Sequence, residues 1–264
     1  MPTEGPIAIT WWGLALGSTL LVANGLVSLW LGLGLGRKLL MAGLRTVVQL
    51  SLLGLVLVYV FESGNPWLVA GIATLMIVLA SVEAVRRAGR TYAGVRRDVF
   101  LSLLVAAASS MLFVTTLILH TDPWWTPRYL IPLLGMVLGN GLTGISLGLE
   151  RCLAAFEEER PSMELWISAG ARPWEAARPV ASRSLKAGLI PILNAMSVAG
   201  MVTIPGMMTG QILGGTEPGM AARYQILVMF LIAGATVAGT TGVVLLAVRA
   251  LFDERGRLLR SNPR

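Results

Sequence analysis

Apolar stretches long enough to cross a bilayer recur along this chain, and nothing else constrains its folding as strongly. At about 20 residues per crossing, residues 7–36, 44–61, 66–82, 99–119, 130–149, 189–213 and 224–251 qualify or come close. Only 13% of the 264 residues are charged and 55% are hydrophobic. A soluble globule of that composition would lack the polar surface to cover itself. The expectation is an all-α, polytopic helical membrane protein: a single domain over residues 1–264 with about seven transmembrane helices. The first run is 30 residues, about 45 Å as a helix, so it must tilt, break or project. It does not read as a secretory signal, because Glu4 is the only charge before it and the run is too long.

Cysteine, histidine and lysine usage removes several chemistries. One cysteine, Cys152, and one histidine, His120, exclude an internal disulfide, HExxH and Cys/His zinc sites. The two lysines, Lys38 after Arg37 and Lys186 after Leu185, leave no Walker A loop. The chain itself is expected to bind no cofactor, so any ATP and Mg would sit on a partner subunit.

Basic residues segregate. Alternate loops hold Arg37, Lys38 and Arg45; Arg86, Arg87, Arg90, Arg96 and Arg97; Arg151, Arg160, Arg172, Arg178, Arg183 and Lys186; and Arg249, Arg255, Arg257, Arg260 and Arg264. These make 19 of the 21, leaving Arg128 and Arg223 on the other side. The positive-inside rule then places the N-terminus outside and the C-terminus in the cytoplasm of a cell (inner) membrane. The net charge of +7 reads as topology and attraction to lipid rather than nucleic-acid binding. Trp67, Trp124 and Trp125 suit an aromatic belt on the outer face.

The one long polar segment, residues 150–188, is expected to be a cytoplasmic loop containing a helix–turn–helix. Ser162 would cap a helix starting near Met163, with Glu164 in its first turn. Gly170 would supply the break. Pro173 would open a second helix running towards Lys186, bent or interrupted by Pro179. Glu164, Gly170, Ala171, Arg172 and Pro173 resemble the EAA loop of ABC-transporter permeases, with Leu165 and Trp166 in place of its two alanines. A capped surface helix pair is the plainer account of the same residues.

Four strings extend that resemblance: RTVVQL (45–50), GMVLGNGLTGISLGL (135–149), PGMMTGQILGG (205–215) and YQILVMF (224–230). Over about residues 45–251 the chain resembles the FetB-like iron-export ABC permeases, related to the plant aluminium-sensitivity permeases. The resemblance implies a homodimeric permease that exports iron or a related metal ion, driven by two copies of a separate ATPase. It implies that Glu164, Gly170, Ala171, Arg172 and Pro173 form the ATPase-coupling element. Asn194 and Ser197 stand where some members carry Asp and Lys.

The same strings carry physical meaning. Gly135, Gly139 and Thr143 share a helical face, as do Gly206, Gly210 and Gly214; such spacing admits close backbone approach, within the chain or across a dimer seam. Pro205-Gly206 would break the sixth helix near mid-bilayer and free carbonyls beside a pathway. Asn140, Asn194, Met201, Pro205, Gly206, Met207, Met208 and Gln211 are the candidate pathway residues. The amides could equally bond between helices. The methionines, Met196 among them, read first as fillers of gaps near a broken helix, with a soft-ion site as the alternative. His120 with Asp122 could serve as an outer ligand pair or as ordinary interface residues. Cys152 reads as an inert thiol. Nothing catalytic is present, so an enzyme is not expected. An importer permease for amino acids or metal chelates, and a membrane scaffold without transport, are the rival readings.

Overall fold

The opening apolar run does break, at two glycines. In the computed structural model, which describes residues 9–253, 256–259 and 262–263, helix α1 (Trp11–Trp30) ends in a turn where Gly32 and Gly34 take φ of 66° and 65°. Side chains avoid that region, and glycine does not. Ser28 Oγ accepts from the Leu35 N–H at 3.0 Å and closes the turn. Helix α2 (Gly36–Ser63) then runs back along α1, with Gly36 against the Gly25 carbonyl and Gly43 against Leu21. Arg37, Lys38 and Arg45 therefore lie inside a helix and not in a loop. Glu4, the first two residues of the run, and Arg255, Arg260 and Arg264 lie outside the described residues.

Contacts divide the chain into two units, residues up to 65 with 210–216 and the remainder. The larger unit contains α3 (Pro66–Arg87), α4 (Val95–Leu112, continued by a π-helical turn, Phe113–Ile118), α5 (Pro127–Glu158), α6 (Arg160–Ser168), α7 (Pro173–Val198) and α9 (Pro218–Ala250). The short α8 (Gly206–Leu213) straddles the division. Among the described residues, six helices are long and apolar enough to span: α1, α2, α3, α4 with its π turn, α5 and α9. The chain is an all-α, multi-pass membrane protein.

Helix α5 is the axis of the larger unit. Positions for Cβ atoms at Gly144, Gly148 and Gly188 fix its neighbours: Gly144 would meet the Gly188 carbonyl at 3.0 Å and Thr236 Cγ2 at 2.6 Å, while Gly148 would meet Thr240 Cγ2 at 2.8 Å. Rising numbers on α5 meet falling numbers on α7 and rising numbers on α9. Helix α7 is thus antiparallel to α5, and α9 is parallel to it. Ile145, Leu149, Leu153, Val243, Val244 and Ala247 are fully buried around this seam.

The polar segment 150–188 is not a loop. Helix α5 continues to Glu158, and α7 passes through Pro179 and Pro191 without ending. Pro179 falls in the second turn, and packing against α5 and α9 holds the helix across both missing N–H groups. Ser162 lies within α6 rather than capping it, because α6 already starts at Arg160. Gly170 does end α6, with φ of 95°, and Pro173 opens α7 at its first position.

Close approach at Gly188 predicts a test of this packing. A Cβ there would lie 2.6 Å from the Gly144 carbonyl and 2.7 Å from Thr240 Cγ2. Gly188→Val should lower the melting temperature in detergent by about 5 °C or more, since an overpacked core costs about 1–3 kcal/mol. Gly71→Ala on α3, where a Cβ meets no atom within 4 Å, should leave it unchanged or slightly raised.

Candidate functional site

Apart from Arg128 and Arg223, the basic residues described in the larger unit collect at one end. Tyr92, in the turn between α3 and α4, donates to Asp98 Oδ2 at 2.9 Å and lies near Cys152 of α5. Burial, and then the Asp98 carboxylate, push its phenol well above the usual range, so it stays a donor. A recess lined by Pro173, Trp174, Arg249 and Phe252 joins the start of α7 to the end of α9 at the same end. Trp67, Trp124 and Trp125 gather at the other end around an apolar recess of about 610 Å³, where the two adjacent indoles meet edge to face at 5.8 Å. That is the segregation the loop charges imply.

At the basic end, α6 is braced from both sides. The Arg160 guanidinium pairs with Glu164 at 2.9 Å and donates to the Leu258 and Leu259 carbonyls at 2.5 and 3.4 Å. Arg183 of α7 pairs with Glu159, the residue between α5 and α6. Glu175 accepts from the Arg172 N–H at 2.8 Å and closes the first turn of α7. Glu164, Gly170 and Arg172 are exposed, and Ala171 and Pro173 are half-buried. Large apolar side chains also stand in the open here: Leu165 is 68%, Trp166 53% and Trp174 47% exposed. The sequence marks Leu165 and Trp166 only as departures from the EAA loop and gives Trp174 no role, although tryptophan in a polar segment is a signal that could have singled out both indoles.

Asn140 on α5 and Asn194 on α7 are both exposed. Asn140 lies four residues from Gly144 along α5, and Asn194 six from Gly188 along α7. At 1.5 Å per residue the two amides differ in depth by about 3 Å. Asn140 donates back to the Met136 carbonyl at 2.9 Å, which leaves its Oδ1 facing outward.

The break in the sixth apolar run sits elsewhere than expected. Helix α7 ends at Val198, Gly200 takes φ of 81°, and the Val198 carbonyl accepts from the Val202 N–H at 3.0 Å. Pro205 stands just before α8, where its missing N–H costs nothing, and its carbonyl accepts from the Thr209 N–H at 3.0 Å. Gly200 is about 18 Å beyond the Gly188 crossing. The break therefore lies towards the tryptophan end and not at mid-depth. Met201 is 80% exposed, and Met207 and Met208 are half-buried. Gln211 Oε1 is buried with no hydrogen-bond partner among the described residues.

The expected small-residue faces are not the ones that pack. No atom lies within 4 Å of a Cβ at Gly139, Gly206 or Gly210. Gly135 meets only Met76 Cε at 3.4 Å, and Gly214 only its own turn. The close approach falls instead on Gly144 and Gly148. His120 has φ of 48°, and its Nδ1 lies 3.2 Å from the Ile118 carbonyl. Among the described residues, no three His, Cys, Asp or Glu side chains gather as a metal cage would require.

Known proteins place this architecture. The model of the family described as "Uncharacterised protein family (UPF0014)" matches residues 11–252. A UPF0014 membrane protein of Synechocystis is 36% identical over 220 residues, 83% of this chain and 85% of that relative. The probable iron export permease protein FetB of Escherichia coli is 28% identical over 251 residues, 95% of each chain. The protein ALUMINUM SENSITIVE 3 of Arabidopsis thaliana is 31% identical over 202 residues, 76% of this chain and 72% of that relative. No solved structure matches. With its whole helical region inside the family's match, this chain belongs to the UPF0014 family of membrane proteins.

Proposed function

We propose that the chain is the permease subunit of an ATP-driven transporter that exports iron or a related metal ion. It acts as a homodimer with two copies of a separate ATPase that holds ATP and Mg. The observation that carries this reading is the pair Leu165 and Trp166, exposed on a helix that Arg160 and Arg183 brace at the basic end. Apolar side chains on a polar, rigid projection are what a partner's groove would take up, with the tryptophan as the anchor. The relative named as a probable iron export permease, aligned over 95% of both chains, supports the transport class. The unoccupied face of α5 at Gly139 supports a second copy packing there.

In this mechanism the ATPases draw together on ATP and displace α6 with Glu164, Gly170, Ala171, Arg172 and Pro173. Helix α7 is continuous from that end to Val198 and carries the movement into the membrane. The ion passes along Asn140 and Asn194, with Met201, Pro205, Gly206, Met207, Met208 and Gln211 towards its outer end. Amides and backbone carbonyls hold a divalent ion weakly, which suits a route that must release it.

Docking is tested by co-purification of the chain with its partner ATPase. Leu165→Ala with Trp166→Ala should cut retained ATPase by about tenfold, and Gly170→Pro should keep docking but lose transport-coupled ATP turnover. Undiminished retention in the double variant would reject the docking surface.

The route is tested in cells loaded with iron. Asn140→Leu and Asn194→Leu should raise retained metal without loss of ATPase docking, whereas Met207→Leu should change little. Normal export by both asparagine variants, with failure of Met207→Leu, would replace the polar route by a soft-ligand one.

Orientation follows from the basic end facing the cytoplasm. Reporter fusions after Arg90 and Arg160 should be active inside, and one after Asp122 outside. An inside signal at Asp122 would reverse the assignment.

A further inference from the structure

The hairpin between α3 and α4 holds five arginines in twelve residues, Arg86, Arg87, Arg90, Arg96 and Arg97, with only Glu83 and Asp98 to offset them. Glu83 is taken by Arg86 and Arg87 at 2.8 and 3.0 Å. Asp98 is buried and spends its two oxygens on Tyr92 and Arg97. Arg90 and Arg96 have no carboxylate partner among the described residues. The side chain of Arg97 stays 77% exposed despite its 3.2 Å contact to Asp98.

Two of these charges, Arg96 and Arg97, line a recess of about 480 Å³ together with Thr91, Tyr92, Gly94 and Val95. Gly94, with φ of 92°, starts the 18-residue α4 and brings the helix's positive end to the recess. The Val95 N–H is used by the Tyr92 carbonyl, and the Asp98 N–H by the Gly94 carbonyl. The Arg96 and Arg97 amides between them have no acceptor within the helix. The recess lies just past the end of the apolar helix α3. The two helices that carry it expose Val82, Leu101 and Val105 to the hydrocarbon.

We propose that this recess binds the headgroup phosphate of an anionic phospholipid, with Arg96 and Arg97 on the phosphate oxygens and the acyl chains lying on α3 and α4. The site does not depend on the transport reading, since it needs only a membrane-spanning chain whose hairpin meets an anionic leaflet. Tyr92 and Asp98 set the hairpin's shape, so an occupied recess would hold it against α5.

Native mass spectrometry of the full chain in detergent, with added phosphatidylglycerol or phosphatidylcholine, tests this. Phosphatidylglycerol should be retained about tenfold better than phosphatidylcholine. Arg96→Gln with Arg97→Gln should abolish that preference, while Arg37→Gln with Lys38→Gln keeps it. Arg97 touches the buried Asp98, so Arg96→Gln alone, which breaks no ion pair, provides the second measurement and should lower the preference about threefold. Excess inorganic phosphate should not displace the lipid. Equal retention of the two lipids, an unchanged preference in both arginine variants, or displacement by phosphate alone would overturn the proposal.

Discussion

Two glycine backbones in near contact set the geometry of the larger unit. With Gly144 and Gly188 facing each other, α5 and α7 come closer than any side chain would allow, and Thr240 of α9 fills the remaining space. Lipid tails are as apolar as leucine, so helices in a bilayer gain little by merely hiding hydrocarbon from one another. Close packing supplies the attraction instead, and glycine makes it possible. The crossing also fixes the register of α7. Moved by one turn, about 5.4 Å, α7 would lose the facing glycines and pull Arg183 off Glu159.

Six of the seven expected spans were legible in the sequence because a bilayer demands apolar length, and length survives without any knowledge of partners. The run 189–213 is instead divided between the end of α7 and α8 and gives no such helix among the described residues. The excess length of the opening run was legible too, since 30 residues exceed what one crossing needs, but only the structure chooses a break over a tilt or projection and places it at Gly32 and Gly34. The packing face was not. Gly135 and Gly139 have the same spacing as Gly144 and Gly148, but nine residues separate the two pairs. At about 100° per residue that puts them on opposite sides of α5. Spacing reports that a face is small, and only the fold decides which small face meets a neighbour within the chain.

The polar segment was misread for a related reason. Charged residues and two prolines suggested a loop with a short second helix, yet α7 is one element from Pro173 to Val198. Propensity weighs each residue locally, whereas α7 is held along its length by α5 and α9. Pro191 removes the donor that would meet the Ala187 carbonyl, next to the glycine crossing. The backbone there is held by interhelical packing rather than by its own ladder. A helix of this kind joins the two candidate regions mechanically. Its first turn belongs to the polar end with α6, and 21 residues later it carries Asn194.

Around that same seam, Ser102 Oγ, Thr236 Oγ1 and Thr240 Oγ1 are buried with no hydrogen-bond partner among the described residues. A threonine in a helix can ordinarily satisfy its hydroxyl on the carbonyl one turn back, as Thr115 and Thr143 do here. Thr236 and Thr240 instead lie against Gly144 and Gly188. Each unpaired hydroxyl costs about 1–3 kcal/mol. The seam is therefore well packed and polar-unsatisfied at once. Separation of α9 from α5 would forfeit contacts but would let these hydroxyls reach carbonyls or water. Those two terms oppose each other, so the closed seam is held by less than its packing alone would give. In a chain whose candidate polar route lies one to two turns away, that is the balance a movable helix contact requires.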